Sequence, residues 1–229
     1  MKEQTISKAT IDRLPLYYRT LRLAQDDGMD IISSDELGRR LELTPEQIRK
    51  DLALFGQFGK KGVGYYVNEL KFNVGKILGL DNHWNIAIVG IGHLGVALAN
   101  YQNFIALGFN LVALFDNDPN IIGKTVNHVK VKSIDELQSC AKNRKTVNHV
   151  KVKSIDELQS CAKNLKIDIG VIAVPAQFAQ QVADKLVKAN IKGIWNFAPV
   201  KMRVPEDVKI VNEDLSVGLS RLSYYITGK

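Results

Sequence analysis

The chain of 229 residues is poor in cysteine, with Cys140 and Cys161 as its two thiols. Neither has a histidine or second cysteine at the spacing of a metal site, so we expect no metal and no disulfide role. The sequence also lacks an apolar run of the roughly 18 residues that a membrane-spanning helix needs. Its first residues lack the apolar core of a signal peptide. We therefore expect a cytoplasmic protein with no membrane partner.

Candidates for catalysis are also scarce. None of the four histidines pairs with a carboxylate in a catalytic motif. A dehydrogenase usually needs a proton donor near the centre of hydride transfer, and no such residue stands out. We therefore expect no catalytic residues, and the sequence favours sensing over catalysis.

Residues 124–143 and 145–164 are identical copies of a 20-residue segment, separated by Arg144. A solenoid needs about three or more units, so the repeat does not define the fold. Each copy can form a short strand, at 128–132 or 149–153, and a helix from its Ser-Ile-Asp-Glu capping box. A doubly wound domain has room for one copy, and we expect the other to be a surface insertion.

The formal net charge of +7 is compatible with nucleic-acid binding. Part of it comes from the repeat, because residues 124–144 carry five basic and two acidic side chains. Without them the net charge would be +4 (7 minus 3). The global charge is thus a weak argument for DNA, and local charge has to support that function.

A glycine-rich turn is the most informative motif. An apolar strand from Ile86 runs into Gly90-x-Gly92-x-x-Gly95, then a helical stretch over 96–106 and a strand over 109–115. Asp116 follows 21 residues after Gly95, the order and spacing of a dinucleotide-binding fingerprint. The alternative is an ordinary structural turn that binds nothing.

Each residue of this motif has a distinct physical purpose. Gly90 permits the tight turn, Gly92 lets the main chain approach a pyrophosphate, and Gly95 lets helix and strand pack closely. Asp116 suits a free ribose diol and would repel a 2′-phosphate, which favours NAD(H) over NADP(H). The candidate cofactor-binding residues are Gly90, Ile91, Gly92, His93, Leu94, Gly95, Asp116, Asn117, Val174, Pro175, Asn196, Phe197 and Ala198.

Strands alternate with helices through the rest of the chain, which predicts a parallel sheet wound on both faces. We expect strands at 167–174, 194–197 and 208–211, and a helix over 177–189. A last amphipathic helix over 215–226 carries an apolar stripe. It can cover its own sheet or insert into a partner subunit, and periodicity alone favours the first.

The N-terminal third predicts a helix over 7–28, with Ser7 as its cap, Pro15 as a kink or new start, and Gly28 as its stop. Capping boxes at Ser33 and Thr44 open two short helices, which Glu42-Leu43 joins as a helix-turn-helix. We expect the second helix to end at Phe55, and a further helix over 69–80.

Between the second short helix and the helix over 69–80, a basic, glycine-rich turn at 59–67 indicates the wing of a winged helix. From Arg49 to Lys76 six basic residues face two acidic ones, so the charge is concentrated where the motif predicts it. Gln47 and Lys50 are the candidates for base edges, and Arg49 for phosphates. The alternative is a solvated helix face. The candidate DNA-binding residues are Ser33, Ser34, Thr44, Gln47, Arg49, Lys50, Lys60, Lys61, Gly62 and Tyr65.

Taken together, these segments resemble the Rex family of redox-sensing transcriptional repressors. The resemblance rests on residues 48–52, Gly62-Val63-Gly64-Tyr65, the turn at 90–95, Phe115-Asp116 with Asp118-Pro119, residues 196–199 and the helix over 219–225. It covers nearly the whole chain except one copy of the repeat.

The resemblance implies a homodimer that binds a palindromic operator in double-stranded DNA through two winged helices. It implies that NADH binding releases the DNA, that NAD⁺ competes, and that the C-terminal helix is exchanged between subunits. By motif match, Tyr101 and Asp214 resemble members of a polar switch across the dimer, with Arg19 as a third member.

The expected architecture is α/β. A winged helix-turn-helix domain over residues 1–80 precedes a Rossmann-type doubly wound sheet over 81–213 and a dimerisation helix over 214–229. The alternative function is an NAD- or CoA-dependent Rossmann enzyme with an accessory DNA-binding head, because a fold does not fix a function.

Overall fold

The computed structural model describes residues 6–130 and 166–228. The chain divides into two compact units, residues 1–82 and 83–229. The second copy of the repeat, and the helix expected in either copy, lie outside the described residues. Within the described ranges no helix is both long and apolar enough to cross a membrane, and no cluster of metal-ligating side chains is present.

The N-terminal unit is helical with a small antiparallel ribbon. Its elements are α1 (Lys8–Asp26), β1 (Ile31–Ile32), α2 (Ser34–Leu41), α3 (Pro45–Ala53), β2 (Tyr65–Tyr66) and α4 (Val67–Ile77). Ile31 pairs with Tyr66 and Ile32 with Tyr65, which closes the ribbon of the wing. Its core is formed by Leu14, Tyr17, Leu21, Ala24, Ile32, Leu37, Ile48, Leu52, Tyr65, Val67, Leu70 and Val74.

All three N-caps predicted in this unit are confirmed. The side chains of Ser7, Ser33 and Thr44 each accept a hydrogen bond from the main-chain N–H three residues on. Each satisfies one N–H group that a helix start leaves unpaired. The capping box at Ser33 is only half formed, because the Glu36 carboxylate pairs with Arg39 and Arg40 instead.

Three helices differ from the prediction in detail, and α4 spans Val67–Ile77 rather than 69–80. Pro15 starts no new helix, since α1 continues through it as one helix of 19 residues. The α3 helix ends at Ala53 rather than Phe55, because the N–H groups of Leu54 and Phe55 bond three residues back instead of four. Such a tightened last turn is common at helix ends.

The second unit is built on a five-stranded parallel sheet. Its elements are β3 (Trp84–Val89), α5 (His93–Ala99), α6 (Asn103–Ala106), β4 (Phe109–Phe115), β5 (Thr125–Val126), β6 (Val129–Lys130), β7 (Ile169–Ile172), α7 (Ala176–Lys188), β8 (Gly193–Asn196), β9 (Lys209–Asn212) and α8 (Leu215–Ile226). The strand order is β4-β3-β7-β8-β9, so the winding reverses between β3 and β7. Ligands bind at the carboxyl ends of strands at such a reversal.

Two expectations for this unit are wrong, and a third is confirmed in part. The helix predicted over 96–106 is interrupted at residues 100–102 and forms α5 and α6. The short strand predicted over 128–132 is present as β6 (Val129–Lys130), which pairs with β5 across a turn where Asn127 and His128 both have positive φ. The C-terminal helix does not cover its own sheet, since no residue of α8 is buried by the described chain.

A buried ion cluster joins α1 to α3. Asp51 is 1% exposed. Its Oδ2 accepts hydrogen bonds from Arg13 Nε and Tyr17 Oη, both at 2.6 Å. Its Oδ1 accepts from Arg13 Nη2 at 2.8 Å, Gln47 Nε2 at 2.9 Å and Thr10 Oγ1 at 3.3 Å. The donors thus saturate a charge that burial alone would destabilise.

The pKa values of this cluster follow from its surroundings. Burial opposes the charge on Asp51, but the hydrogen bonds from Arg13, Tyr17 and Gln47 outweigh burial and lower its pKa. Burial and the neighbouring carboxylate raise the pKa of Tyr17. The carboxylate is therefore ionised in the folded unit at neutral pH, and the phenol stays protonated.

Replacing Asp51 with alanine should lower the unfolding free energy of the N-terminal unit by about 3 kcal/mol, because Arg13 and Tyr17 would lose their buried acceptor. Native-state hydrogen exchange of the α1 and α3 amides in the full chain measures this loss. The folded pKa of Asp51 lies below its unfolded value of about 3.9. Its stabilisation is therefore complete above that pH and is lost as pH falls through the folded pKa.

The matched control is Asp12→Ala. Asp12 forms an exposed pair with Lys8 on the same helix, and such pairs contribute less than about 1 kcal/mol. Equal losses for Asp12→Ala and Asp51→Ala would contradict the role assigned to the cluster.

Candidate nucleotide site and DNA-binding face

The glycine turn brings three strands together at the carboxyl edge of the sheet. Gly90 has a φ of +94°, and its N–H donates to the carbonyl of Phe115 at the end of β4, at 2.8 Å. A Cβ at Gly90 would lie 2.6 Å from the carbonyl oxygen of Ala173, just after β7. Only glycine fits this close approach of main chain to main chain. Gly90 and Val174 are thus neighbours, as the prediction that both bind one cofactor requires.

Gly92 and Gly95 have different surroundings. A Cβ at Gly95 would lie 1.9 Å from the carbonyl oxygen of Gly90, so the first turn of α5 packs directly on the loop. A Cβ at Gly92 would meet nothing within 4 Å. The fold therefore has no need of glycine at position 92, and the space above it is open to a ligand.

The carboxylate of Asp116 is held by main-chain donors. It accepts hydrogen bonds from the N–H groups of Ile91 at 2.6 Å, Asn117 at 2.7 Å and Asp118 at 2.9 Å. These bonds tie the end of β4 to the glycine turn. They use three of the roughly four acceptor positions of a carboxylate, so a ribose hydroxyl would share this group with the loop.

The remaining candidate cofactor residues follow β3, β7 and β8. Ile91 is 3% exposed with its side chain in the core, so only its main chain can meet a ligand. His93 is exposed and Leu94 half-buried at the start of α5, while Pro175 is exposed. Phe197 is half-buried beyond the end of β8, and its N–H donates to the carbonyl of Ile172.

Asn196 has a structural role that the sequence did not reveal. It is 0% exposed. Its Nδ2 donates to the carbonyls of Ala198 and Val200 and to Asn212 Oδ1, while its Oδ1 accepts from the N–H of Ala198. The amide thus folds the turn after β8 and joins it to β9. Its side chain is committed to these contacts, and the turn can offer a ligand only Phe197 and the main chain.

The N-terminal unit contains an open groove of about 720 Å³ between α2, α3 and the wing. Seven of the ten candidate DNA-binding residues line it: Ser33, Ser34, Arg49, Lys60, Lys61, Gly62 and Tyr65. Arg49 Nη1 donates to Ser34 Oγ at 2.8 Å, which joins the outer face of α3 to the start of α2. The wing closes on itself through paired main-chain hydrogen bonds between Lys60 and Gly64.

Three candidates lie outside the lining of this groove. Thr44 caps α3, Gln47 donates its amide to Asp51 on the side facing α1, and Lys50 is exposed. Gln47 therefore does not share the outer face with Lys50 that periodicity assigned to both. The groove also includes Ala53 and residues 56–59, which follow α3. None of these residues is charged, so their types gave no sign of DNA binding, although Ala53 lies in the predicted second helix and Gly59 in the predicted wing.

The three switch candidates are exposed in this single chain. Tyr101 Oη accepts a hydrogen bond from Asn103 Nδ2. Asp214 caps α8 by accepting from the N–H and hydroxyl of Ser216, and these bonds lower its pKa. Within the described residues Tyr101 and Asp214 do not contact each other, and Arg19 belongs to the other unit.

Family models match both parts of the chain. The model described as "Putative DNA-binding protein N-terminus" matches residues 5–53. The model described as "CoA binding domain" matches twice, over residues 81–143 and 140–200. Each of these two matches contains one copy of the repeat, which agrees with an extra copy inside an otherwise regular domain.

Curated relatives match along almost the whole chain. The redox-sensing transcriptional repressor Rex of Clostridium botulinum (strain Alaska E43 / Type E3) is 43% identical over 225 residues, 98% of this chain and 97% of that protein. The protein of the same name from strain Hall is 44% identical with the same coverage.

Solved structures agree with these relatives. The crystal structure titled as RSP in complex with β-NAD⁺ and operator DNA has a TM-score of 0.83 at 39% identity, covering 99% of this chain and 94% of that one. The structure titled as RSP in complex with β-NADH has a TM-score of 0.82 at 38% identity, covering 99% and 96%.

A winged-helix head joined to a doubly wound sheet with a dinucleotide turn defines a transcriptional regulator that responds to a nucleotide. The chain belongs to the Rex family of redox-sensing transcriptional repressors. It is accordingly a regulator and not an enzyme.

Replacing Gly90 with alanine should destabilise the second unit by several kcal/mol, because the new Cβ would meet the carbonyl of Ala173 at a positive φ. Gly92→Ala should leave the melting temperature within about 2 °C of the wild type, because its Cβ meets nothing. Thermal unfolding of both variants measures the difference. A stable Gly90→Ala variant, or an unstable Gly92→Ala variant, would contradict the geometry described here.

Proposed function

We propose that this chain binds a palindromic operator in double-stranded DNA as a homodimer and releases it when NADH binds. It would thereby report the ratio of NADH to NAD⁺ to transcription. The observation that carries the proposal is the open space above the main chain at Gly92, where the winding of the sheet reverses. The same chain also has a basic groove. Because operator DNA lies in the cytoplasm of a bacterium such as Clostridium, we place the protein there.

The nucleotide would be held along the carboxyl edge of β3, β4, β7 and β8. The main chain at Gly90–Gly95 would approach the pyrophosphate, since Gly92 leaves room for it. Asp116 would accept a ribose hydroxyl and disfavour a 2′-phosphate, with Asn117 beside it. His93 and Leu94 would border the phosphates, while Val174, Pro175 and the turn of Phe197 and Ala198 would border the nicotinamide half.

NADH and NAD⁺ differ in the charge and shape of the nicotinamide ring. A protein can respond to the reduced form only if that form binds better to one of its conformations than to the other. In this chain, the turn after β8 would border that ring together with Val174 and Pro175. Its main chain is fixed by Asn196, so Phe197 is the side chain free to respond.

The DNA would enter the groove between α2, α3 and the wing. Arg49, Lys60 and Lys61 would meet phosphates, while Ser33, Ser34, Thr44, Gly62 and Tyr65 would position the backbone. Lys50 would reach a base edge, and Gln47 remains a candidate for one because its amide oxygen has no partner within the described residues. The wing on one side of α3 and α2 on the other would fix the position of α3 along the DNA.

The homodimer would form through α8. This helix exposes Leu215, Leu219, Leu222 and Ile226 by 52–76% of their surfaces. A stripe of this size is rarely left in water by a folded protein, so a second copy is the natural cover. In that dimer, Arg19, Tyr101 and Asp214 would form the polar switch that transmits nucleotide binding to the DNA-binding heads.

NADH should weaken operator binding by at least about tenfold, whereas NADPH at the same concentration should have no measurable effect, because Asp116 disfavours its 2′-phosphate. Fluorescence anisotropy of a labelled palindromic operator, titrated at fixed salt, measures both effects. Gly92→Ala is the matched variant. It should bind operator normally and respond to NADH only at about tenfold or more higher concentration. Unchanged operator affinity in saturating NADH would refute the proposal.

Replacing Lys60 with alanine should reduce the slope of log affinity against log salt by about 0.9, because one phosphate contact is lost, while discrimination between operator and random DNA stays nearly constant. Lys71→Ala is the control, because Lys71 lies on α4 outside the groove. This substitution removes the same charge. Equal slopes for both variants would show that Lys60 makes no phosphate contact.

A further inference from the structure

Four aromatic rings form a continuous cluster in the second unit. The ring centroids of Phe197 and Trp195 lie 4.5 Å apart, those of Trp195 and Phe104 6.0 Å, and those of Phe104 and Tyr101 5.0 Å. The last two pairs are edge-to-face. These distances fall within the range in which aromatic pairs attract each other beyond simple burial. We call this set the aromatic cluster.

The cluster begins at the nucleotide edge of the sheet. Trp195 is in β8, and Phe197 lies two residues on, so the two side chains share one face. The main chain around them cannot shift freely. The N–H of Phe197 is bonded to the carbonyl of Ile172. Asn196, which lies between the two aromatic residues, is fixed by the hydrogen bonds of its own buried amide. A ligand that presses on Phe197 must therefore move its ring rather than its backbone.

The cluster ends at the surface. Phe104 is on α6, a helix of four residues whose flanking Tyr101 is 51% exposed. The Tyr101 ring is held by Phe104 and by one hydrogen bond from Asn103. Trp195, Phe197 and Phe104 are half-buried and Tyr101 is exposed, which allows displacement beside Phe197 to be expressed at the exposed end.

We propose that Trp195 and Phe104 are positioning residues that couple nucleotide binding beside Phe197 to the orientation of Tyr101. This rests on the proposed function and adds the route within one subunit. Close-packed rings respond to displacement by changing to another packed arrangement rather than by deforming, so the cluster has discrete states. Nucleotide binding would shift the population between them.

The test separates nucleotide affinity from coupling. Coupling is the factor by which saturating NADH weakens operator binding. In Trp195→Leu, an apolar side chain remains but both ring contacts are lost. NADH affinity, followed by the fluorescence of NADH itself, should stay within about threefold of the wild type, whereas coupling should fall by about tenfold. Trp195→Phe restores a ring and should retain most of the coupling.

Trp84→Leu is the matched control, because Trp84 lies at the opposite, amino end of β3 and outside the cluster. It should keep both NADH affinity and coupling. Phe104→Leu, which breaks the cluster one ring further from the nucleotide, provides a second variant if Trp195→Leu does not fold. It should lose coupling as Trp195→Leu does.

Wild-type coupling in both Trp195→Leu and Phe104→Leu would overturn the proposal. Loss of NADH affinity in parallel with coupling would also overturn it, by making the cluster a wall of the binding site. Failure of the wild-type chain to respond to NADH would instead refute the proposed function, and the two failures are therefore distinguishable.

Discussion

The close approach of main chain to main chain at Gly90 is the constraint on which the second unit depends. The ends of β3 and β7 come so near that no side chain fits between them, and Gly95 brings α5 onto the same loop. These contacts place the reversal of the sheet, the start of a helix and the carboxylate of Asp116 within one small region. Because Gly92, unlike Gly90 and Gly95, has open space above it, the same turn that closes the fold leaves a surface for a ligand.

The N-terminal unit depends on a different kind of contact. Asp51 is buried between α1 and α3, and its charge is tolerated only because Arg13, Tyr17, Gln47 and Thr10 all donate to it. A cluster with so many directional partners fixes one arrangement of the two helices. The groove beside α3 is then presented by helices held in that arrangement, as the proposed recognition of a palindrome by two copies requires.

Much of this architecture was predictable because it depends on local chemistry. Ser7, Ser33 and Thr44 cap helices for reasons contained within three or four residues, and the glycine turn lies in the strand, helix, strand and acid order of a dinucleotide site. The break between α5 and α6 and the burial of Asn196 were not predictable. They depend on contacts with residues distant in sequence, such as Asn127 with Ala99 and Asn196 with Asn212.

The C-terminal helix is a second case in which the local sequence does not reveal the contact that decides the structure. Periodicity revealed its apolar stripe, but an apolar face does not identify the surface that covers it. The choice that periodicity alone favours, α8 covering its own sheet, is wrong. Gln47 is comparable, because helical spacing placed it beside Lys50, whereas the buried charge of Asp51 turns its amide towards α1. In both cases the deciding partner lies outside the segment that carries the pattern.

In the proposed function, one chain couples a nucleotide site to a DNA-binding face. Coupling between two ligands is reciprocal, so operator DNA must weaken NADH binding by the same factor by which NADH weakens operator binding. The most direct measurement is the affinity of the wild-type protein for NADH with and without saturating operator DNA, at one salt concentration. We expect NADH affinity to drop by at least about tenfold with operator and not to change with a random duplex. Equal NADH affinity in both conditions would contradict that coupling.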